Sequence, residues 1–311
     1  MKIKSIINFY NKMSNFGKLL FYTSILLILI TFFKSLNYKS YSLQEGYTQN
    51  DNYVFKTGNE VYDEFYATIY DHLVFNNVKN NYETKTVMTQ TLANHESIVL
   101  DVGCGTGHHV ANLCVSKIKT IGIDISPNMI NHAKNKYPQC NFIVGNVLDR
   151  DQFNNNSFTH ILCLYFTIYY FKDKRIFFTN CMDWLMPGGH IILHLVDRER
   201  FDPILPPGNP LYIVSPQKYA KERITNTKIT FNDFIYESNF NLNQGNDLAT
   251  FEEKFKFNNG KVRKQEQVLY MQDTSDILTI AEQCGFTLQS KIDMVKCAYE
   301  NQYLYILVKP A

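Results

Sequence analysis

The residues best suited to chemistry lie in a glycine-rich segment, VLDVGCGTG, at positions 99–107. An apolar run leads directly into glycines at alternate positions, and a helical pattern follows. Bare backbone in such a turn lets a ligand approach closely, which side chains would prevent. A turn of this kind at the carboxyl end of a buried strand is typical of the ligand-binding edge of a doubly wound sheet.

An acidic residue follows the next apolar run, in GIDIS, where Asp124 ends the second predicted strand. A carboxylate at this place accepts hydrogen bonds from both hydroxyls of an adenosine ribose. The glycine spacing is G-x-G-x-G, and His108 occupies the third glycine position of the dinucleotide pattern. A pyrophosphate is better held by a longer loop and a helix N-terminus, so nicotinamide chemistry ranks below sulfonium chemistry.

Short apolar runs alternate with helical patterns through the middle of the chain. The pattern indicates βαβ units and a parallel sheet, because the runs are rich in Ile, Val and Leu on both faces. The predicted strands are SIVLDVG (97–103), KTIGIDI (119–125), CNFIVGNV (140–147), FTHILCLY (158–165) and GHIILHLV (189–196). Helices are predicted over 108–116, 127–136 and 173–185.

The alternation stops after Phe201, where a proline-rich segment begins. Alternating patterns then predict an antiparallel insertion over about 226–271, with a turn at Asn259-Gly260. A helix ending near Gln283 and two closing strands, 286–292 and 303–310, complete the chain. We therefore predict an α/β fold with a doubly wound, mostly parallel seven-stranded sheet and an antiparallel β insertion.

The N-terminal segment contains an uncharged run, Leu19–Phe33, bracketed by Lys18 and Lys34. A transmembrane helix needs about 20 residues, which flanking residues supply if the helix covers about 18–36. A cleaved signal peptide is the alternative, but no small-residue cleavage site follows the run. The run predicts a single-pass membrane anchor within residues 1–40.

Composition narrows the classes of partner. The formal net charge is +2, and the first forty residues carry much of the excess, so the rest offers no signature of polyanion binding. The seven cysteines include no C-x-x-C pair, so no metal site is expected. Asn209-Pro-Leu-Tyr212 lies too far along the chain for the N/D-P-P-Y element of DNA amino-methylating enzymes. No nucleic-acid partner is expected.

Four ordered motifs resemble those of the class I S-adenosylmethionine-dependent methyltransferases. They are VLDVGCGTG (99–107), GIDISPNMI (122–130), VGNVLD (144–149) and WLMPGGHIIL (184–193), and the match covers roughly residues 60–200. More loosely, a membrane-anchored arrangement of this kind resembles methyltransferases of large DNA viruses. The resemblance implies S-adenosylmethionine as cofactor, with residues 85–311 as the methyltransferase domain.

The resemblance also assigns cofactor contacts. It places the glycines on the methionine part, Asp124 on the ribose and Met129 on the adenine, while Asn146 stands where the family often has an acid. Residues 41–84 are predicted to form a polar linker, to about residue 60, followed by a helix with an aromatic pattern. The Tyr-Asp pair of this lid helix is either Tyr62-Asp63 or Tyr70-Asp71. The full expected set is Tyr62, Tyr70, Asp101, Gly103, Cys104, Gly105, Thr106, Gly107, Asp124, Ile125, Met129, Gly145, Asn146, Val147 and Tyr165.

The acceptor side is expected at the ends of the fourth and fifth strands, where Tyr165, Thr167 and His194 are candidate catalytic residues. Alternatively, the aromatic residues are only cavity wall and His194 is a core residue. The predicted function is methyl transfer to a nitrogen or oxygen of a small molecule or protein side chain, from a membrane-tethered domain. A cytosolic domain is expected because the cofactor is cytosolic, although the lysine bias favours the opposite orientation. A cofactor-binding module without turnover and another S-adenosyl or aminopropyl transferase are the alternatives.

Overall fold

The computed structural model describes residues 14–36, 52–204, 217, 220–243 and 245–311. The chain divides into two compact units, Met1–Tyr47 and Thr48–Ala311. The first unit contributes helix α1 (Asn15–Leu36). The Asn209-Pro-Leu-Tyr212 element and residues 41–51 of the predicted linker lie outside the described residues.

Helix α1 corrects the membrane prediction. It has 22 residues, but its uncharged stretch is confined by Lys18 and Lys34. Among the residues that the structure describes, no helix combines the length and the apolar character needed to cross a bilayer. The apolar run is shorter than the span of about 20 residues that a bilayer requires. The described residues therefore do not contain the predicted transmembrane helix, and the predicted single-pass membrane localisation is wrong.

The second unit is built on a seven-stranded sheet with the order β11-β12-β6-β5-β2-β3-β4. Strands β4, β3, β2, β5 and β6 pair in parallel, whereas β12 is antiparallel to both β6 and β11. Its members are β2 (Ile98–Val102), β3 (Lys119–Asp124), β4 (Asn141–Val144), β5 (Phe158–Cys163), β6 (Leu185–Val196), β11 (Thr287–Asp293) and β12 (Gln302–Val308). The sheet is thus mixed, with a parallel centre as the apolar runs predicted.

The helices between these strands begin and end where local chemistry dictates. They are α4 (His108–Val115), α5 (Pro127–Lys136), α6 (Lys174–Trp184) and α7 (Thr274–Gln283). Ser126 caps α5, because its hydroxyl accepts a hydrogen bond from the Met129 amide, and Pro127 follows at the first helical position. Because β2, β3, β4 and β5 run parallel, their carboxyl ends lie at one edge of the sheet.

A second, five-stranded sheet has the order β1-β10-β9-β8-β7. Its strands are β1 (Tyr53–Thr57), β7 (Asn226–Thr230), β8 (Phe234–Asn243), β9 (Leu248–Phe257) and β10 (Val262–Tyr270). The last four form the predicted antiparallel insertion. Strand β1 pairs in parallel with β10 and was not predicted, because residues 41–60 read as a polar linker.

Two helices precede the main sheet. Helix α2 (Glu64–Val74) carries the predicted aromatic pattern and buries Tyr66, Ile69 and Leu73. Helix α3 (Asn77–Gln90) was not predicted, since its sequence is polar throughout. Its buried face nevertheless includes Lys79 and Glu83, so tertiary contacts rather than amphipathicity decide its position.

A buried ion pair joins the start of α2 to strand β10. The Arg263 side chain is 1% exposed and its Nη1 lies 2.7 Å from Asp63 Oδ2. Asp63 also caps α2 by accepting a hydrogen bond from the Tyr66 amide. The guanidinium donates a further bond to the Val61 carbonyl. Helix α2 is thereby fixed to the second sheet.

We expect Asp63→Ala to lower the free energy of unfolding by about 3 kcal/mol, because it removes the carboxylate that neutralises a buried guanidinium and also removes a helix cap. Urea unfolding followed by circular dichroism measures the change. As a control, Glu237→Ala removes ion pairs with Lys228 and Lys256 on a more exposed surface, and should cost less than about 1 kcal/mol. Equal losses in the two variants would contradict the anchoring role of Asp63.

Candidate active site

A cavity of about 410 Å³ lies between the carboxyl edge of the main sheet, helix α2 and the second sheet. Most residues predicted from the sequence line it. They are Tyr62, Tyr70, Gly103, Gly105, Asp124, Ile125, Met129, Gly145, Asn146, Val147, Tyr165 and Thr167. The topology therefore brings together side chains from four strand ends and the lid helix, as the motif order predicted.

The glycine loop adopts the left-handed backbone that only glycine accepts freely. The φ angles of Gly103 and Gly105 are 64° and 52°. A Cβ on Gly103 would lie 2.6 Å from the Thr167 side chain, so this glycine also allows the loop to pack closely. Gly105 faces the cavity, with the Tyr70 ring 3.7 Å from the position of an added Cβ. The bare loop is therefore one wall of the cavity.

Asp124 is held in a fixed orientation by the backbone around it. The Gly105 amide donates to Oδ2 and the Ser126 amide donates to Oδ1, each at 2.9 Å. Burial raises the pKa of the Asp124 carboxyl, and the backbone hydrogen bonds oppose that shift. The remaining lone pairs of the two oxygens are available to accept hydrogen bonds from paired hydroxyls.

Asn146 and Met129, the residues expected beside an adenine, both line the cavity. Met129 is 1% exposed and lines the cavity with Val147. The Asn146 side-chain oxygen accepts a hydrogen bond from the Leu148 amide at 3.0 Å. One lone pair of that oxygen is thus used locally, and the other remains for a ligand.

A smaller cavity of about 80 Å³ adjoins the glycine loop and is lined by Asp101, Cys104 and Thr106. Asp101 is 2% exposed, and its Oδ2 has no hydrogen-bond partner among the described residues. Burial raises the pKa of Asp101 to about 6, and the nearby Glu83 and Asp124 carboxylates act in the same direction. An unpaired buried carboxylate is costly, which favours a cationic ligand group at this point.

Two residues of the small cavity were missed in the sequence. Lys79 is 6% exposed, its Nζ lies 2.7 Å from Glu83 Oε1, and it also sits 5.0 Å from the Tyr165 ring centroid. The other carboxylate oxygen of Glu83, Oε2, lies 2.9 Å from His109 Nε2. Burial opposes ionisation of Glu83, but Lys79 and His109 hold its pKa well below the usual range. In the sequence, a lysine and a glutamate four residues apart in a polar segment look like ordinary surface charges, so they did not indicate a site.

Two predicted site residues do not reach either cavity. A Cβ on Gly107 would lie 2.6 Å from the Phe142 ring, so Gly107 serves the packing of the loop on β4 rather than ligand contact. His194 is fully buried in β6, and burial lowers its pKa to about 3. Its Nδ1 lies 3.7 Å from Glu83 Oε1, and its ring centroid lies 6.5 Å from that of Tyr165. His194 is therefore a neutral core residue in this structure.

Both candidate Tyr-Asp pairs of the lid helix contribute a tyrosine to the cavity, but their carboxylates differ. Asp63 is engaged by Arg263, as described above. Asp71 accepts hydrogen bonds from Thr106 Oγ1 and Lys136 Nζ, both at 2.5 Å, which ties α2 to the glycine loop and α5. The two pairs thus anchor the two ends of one helix over the cavity.

Tyr165 follows β5 with a φ of 54°, an uncommon conformation for a bulky residue. It lines both cavities and lies where they meet. Burial raises the pKa values of Tyr62, Tyr70, Tyr165 and Tyr170. These phenols therefore remain protonated at neutral pH and act as hydrogen-bonding groups rather than bases.

Comparison with known proteins agrees with this geometry. Residues 99–189 match a family described as "Methyltransferase domain". The demethylmenaquinone methyltransferase of Chlorobaculum tepidum is 30% identical over 147 residues, which cover 44% of this chain and 60% of that protein. The dTDP-4-amino-2,3,4,6-tetradeoxy-D-glucose N,N-dimethyltransferase of Saccharopolyspora spinosa is 32% identical over 98 residues, covering 30% of this chain and 39% of that protein. The chain thus spans 60% or less of the length of these two relatives.

A solved S-adenosylmethionine-dependent methyltransferase from Clostridium acetobutylicum shares the fold, with a TM-score of 0.59 and 18% identity. The likeness covers 79% of this chain and 98% of that structure. The fold is that of the Rossmann-like methyltransferases. Residues 99–189, which match the methyltransferase domain family, include the glycine loop, Asp124 and Asn146.

Proposed function

We propose that this chain transfers a methyl group from S-adenosylmethionine to a nitrogen or oxygen of a small-molecule acceptor. One observation carries the proposal: the glycine loop and Asp124 open into the same cavity as an aromatic compartment formed by the second sheet. A single continuous space suits a reaction in which a cofactor and an acceptor must meet.

The residues present fit the cofactor along its whole length. Asp124 would hold the ribose hydroxyls, and Met129 with Val147 would cover the adenine. At the methionine end, the unpaired Asp101 carboxylate suits an ammonium group and the Lys79 ammonium suits a carboxylate. When bound, the cofactor supplies an electrophilic methyl group on a sulfonium.

The chain's own contribution is positioning and exclusion of water. Methyl transfer is an in-line displacement that gains mainly from alignment and desolvation, so it requires no dedicated base. Helix α2 covers the cavity and is anchored at both ends, while Tyr165 and Thr167 lie beside the glycine loop. These two residues would orient the acceptor, whereas His194 has no such role in the proposal.

The names of the relatives indicate two kinds of acceptor, a quinone ring and an amino sugar. Both are small molecules, which favours a small-molecule acceptor over a protein side chain. A cofactor-binding module without turnover remains the second candidate, since Asp124 and the glycine loop account for binding alone.

Calorimetry of the full chain with S-adenosylmethionine and S-adenosylhomocysteine tests the proposal. We expect both to bind with micromolar dissociation constants, and S-adenosylhomocysteine to accumulate when an acceptor is supplied. Binding of neither compound to folded protein would refute the proposal. Tight binding of the cofactor without methyl transfer to any fraction of a cell extract would favour the cofactor-binding module without turnover.

The pH dependence of cofactor binding reports on Asp101. Because burial raises its pKa to about 6, the carboxyl is ionised at pH 7.5 and largely protonated at pH 5. A group with a raised pKa loses its charge as pH falls, so its attraction for an ammonium is present above about pH 6 and lost below it. We expect the affinity for S-adenosylmethionine to fall about tenfold between pH 7.5 and pH 5. Calorimetry across this pH range measures the dissociation constant of S-adenosylmethionine.

Asp101→Asn is the control for that profile. The variant cannot ionise at this position, so its affinity should be low and nearly independent of pH over the same range. A wild-type pH profile in Asp101→Asn would assign the titration to another group and remove Asp101 from the ammonium site.

A further inference from the structure

A polar cluster lies inside the otherwise apolar acceptor compartment of the cavity. It consists of Tyr62 from the lid, Tyr170 after β5 and Gln267 from β10. The Tyr62 hydroxyl donates to the Tyr170 oxygen at 2.9 Å or to Gln267 Oε1 at 3.2 Å, and the Tyr170 hydroxyl donates to Gln267 Oε1. The cluster therefore uses both phenolic protons internally.

The hydrogen-bonding capacity left over defines what the cluster can bind. Gln267 is 3% exposed and lines the cavity, and its amide nitrogen donates to none of the described residues. The Tyr62 oxygen retains a free lone pair, because it is not an acceptor in these bonds. The cluster thus presents the two N–H donors of the Gln267 amide beside one acceptor, the Tyr62 oxygen.

A buried network holds this cluster in place. Gln265, on the same face of β10, donates to Glu253 at 2.6 Å, and Glu253 accepts from Tyr66 of the lid helix at 2.9 Å. Arg263, two residues earlier, binds Asp63 at the start of the same helix. Tyr62 and Gln267 are therefore presented by two elements that are locked together, as a preorganised binding site requires.

The walls around the cluster are apolar. The described side chains from the second sheet and the adjoining loops that face the acceptor compartment are mostly aromatic or aliphatic, namely Phe166, Phe171, Phe201, Phe240, Phe251 and Leu269. The ring centroids of Phe166 and Phe201 are 5.4 Å apart, and those of Phe201 and Phe240 are 5.2 Å apart. A polyhydroxylated ligand would lose hydrogen bonds to water against these walls.

We propose that the acceptor is an apolar ring compound with a ring hydroxyl, and that Gln267 and Tyr62 select that hydroxyl. This inference rests on the proposed function. A hydroxyl oxygen has two lone pairs, so it accepts a hydrogen bond from Gln267 with one and attacks with the other, while its O–H donates a hydrogen bond to the Tyr62 oxygen. An amine uses its only lone pair in the attack and leaves the Gln267 donors unpaired, which disfavours it.

The reaction balances without another reactant. The ring oxygen forms the new bond to the methyl carbon while the carbon–sulfur bond breaks, and the electron pair of that bond stays on sulfur as a neutral thioether. The hydroxyl proton is released to water. The products are a methyl ether, S-adenosylhomocysteine and a proton. Since the cavity tyrosines stay protonated and offer no base, the acceptor hydroxyl must itself be acidic enough to lose its proton to water, as a phenol-type hydroxyl is.

Three probes on the full chain with saturating S-adenosylmethionine test the assignment: 2-naphthol, 2-naphthylamine and glucosamine. We expect kcat/KM to be about tenfold or more higher for 2-naphthol than for either amine. In the presence of S-adenosylhomocysteine, 2-naphthol fluorescence should also report direct binding. Faster methylation of an amine probe, or no binding of 2-naphthol up to millimolar concentration, would overturn the proposal.

Substitution of Gln267 separates selection from stability. Gln267→Met keeps the length of the side chain but removes its donors, and should lower kcat/KM for 2-naphthol about tenfold with the affinity for S-adenosylmethionine unchanged within twofold. Val268→Ala is the control, since Val268 is the next residue of β10 and is 43% exposed. Unchanged kcat/KM in Gln267→Met would refute the role of Gln267. Failure of wild type to bind S-adenosylmethionine would instead refute the proposed function beneath it.

Discussion

The Gly105→Val variant is expected to fold and to lose more than about a hundredfold of its affinity for S-adenosylmethionine. Gly105 has a φ of 52°, which a β-branched residue adopts only with strain. Its amide donates to Asp124, so a shift of the backbone also releases the carboxylate that would hold the ribose. The isopropyl group would occupy cavity volume beside Tyr70. Calorimetry with S-adenosylmethionine measures the loss, and circular dichroism verifies the fold.

Gly260→Val is the matched control for backbone strain. Gly260 has a φ of 85°, and no atom lies within 4 Å of an added Cβ at this position in the turn between β9 and β10. This variant should lose stability of a similar size and keep wild-type affinity for the cofactor. If Gly105→Val bound S-adenosylmethionine as wild type does, the glycine loop would not be the cofactor site.

The second large effect concerns Asp124. We expect Asp124→Ala to weaken the binding of S-adenosylmethionine by about 2–3 kcal/mol, or about 30- to 150-fold, because charge-assisted hydrogen bonds to buried hydroxyls are of that order. Asp124→Asn should weaken it as well. Both carboxylate oxygens already accept backbone amides, so one end of an asparagine amide would face a donor with a donor. Calorimetry again gives the dissociation constants.

Asp233→Ala serves as the control for charge. Asp233 is exposed in the turn between β7 and β8, so its removal changes the net charge by the same amount without touching the cavity. The affinity of this variant for S-adenosylmethionine should equal that of wild type. An unchanged dissociation constant in Asp124→Ala would exclude the ribose role and require a different orientation of the cofactor.

The part of the cavity formed by the glycine loop and Asp124 was predictable because its residues follow one another along the chain. Gly103 and Gly105 end one strand and Asp124 ends the next, and parallel strands place their carboxyl ends at one edge. Local sequence thus specifies both the strands and the ligand-facing turns. Gly107 and His194 lie outside both cavities, because they pack against neighbours, Phe142 and Glu83, that no spacing rule supplies.

The acceptor half was not predictable in the same way. Tyr62 and Gln267 are 205 residues apart in the chain, and they meet only because β10 pairs with neighbours that place it beside the lid helix. In the sequence, Arg263, Gln265 and Gln267 alternate with other residues as the solvent face of a hairpin would. The structure shows this polar face buried at 3% exposure or less.

The sequence by itself determined the fold class, the antiparallel insertion, the glycine loop and Asp124, because each depends on periodicity or on backbone conformations that a few residues dictate. It did not determine α3, β1 or the membrane assignment, where weak local patterns allowed more than one outcome. Only the tertiary structure decided which polar groups are buried around the cavity. Burial depends on contacts between distant segments, and a linear pattern records side-chain type but not the partner that each side chain meets.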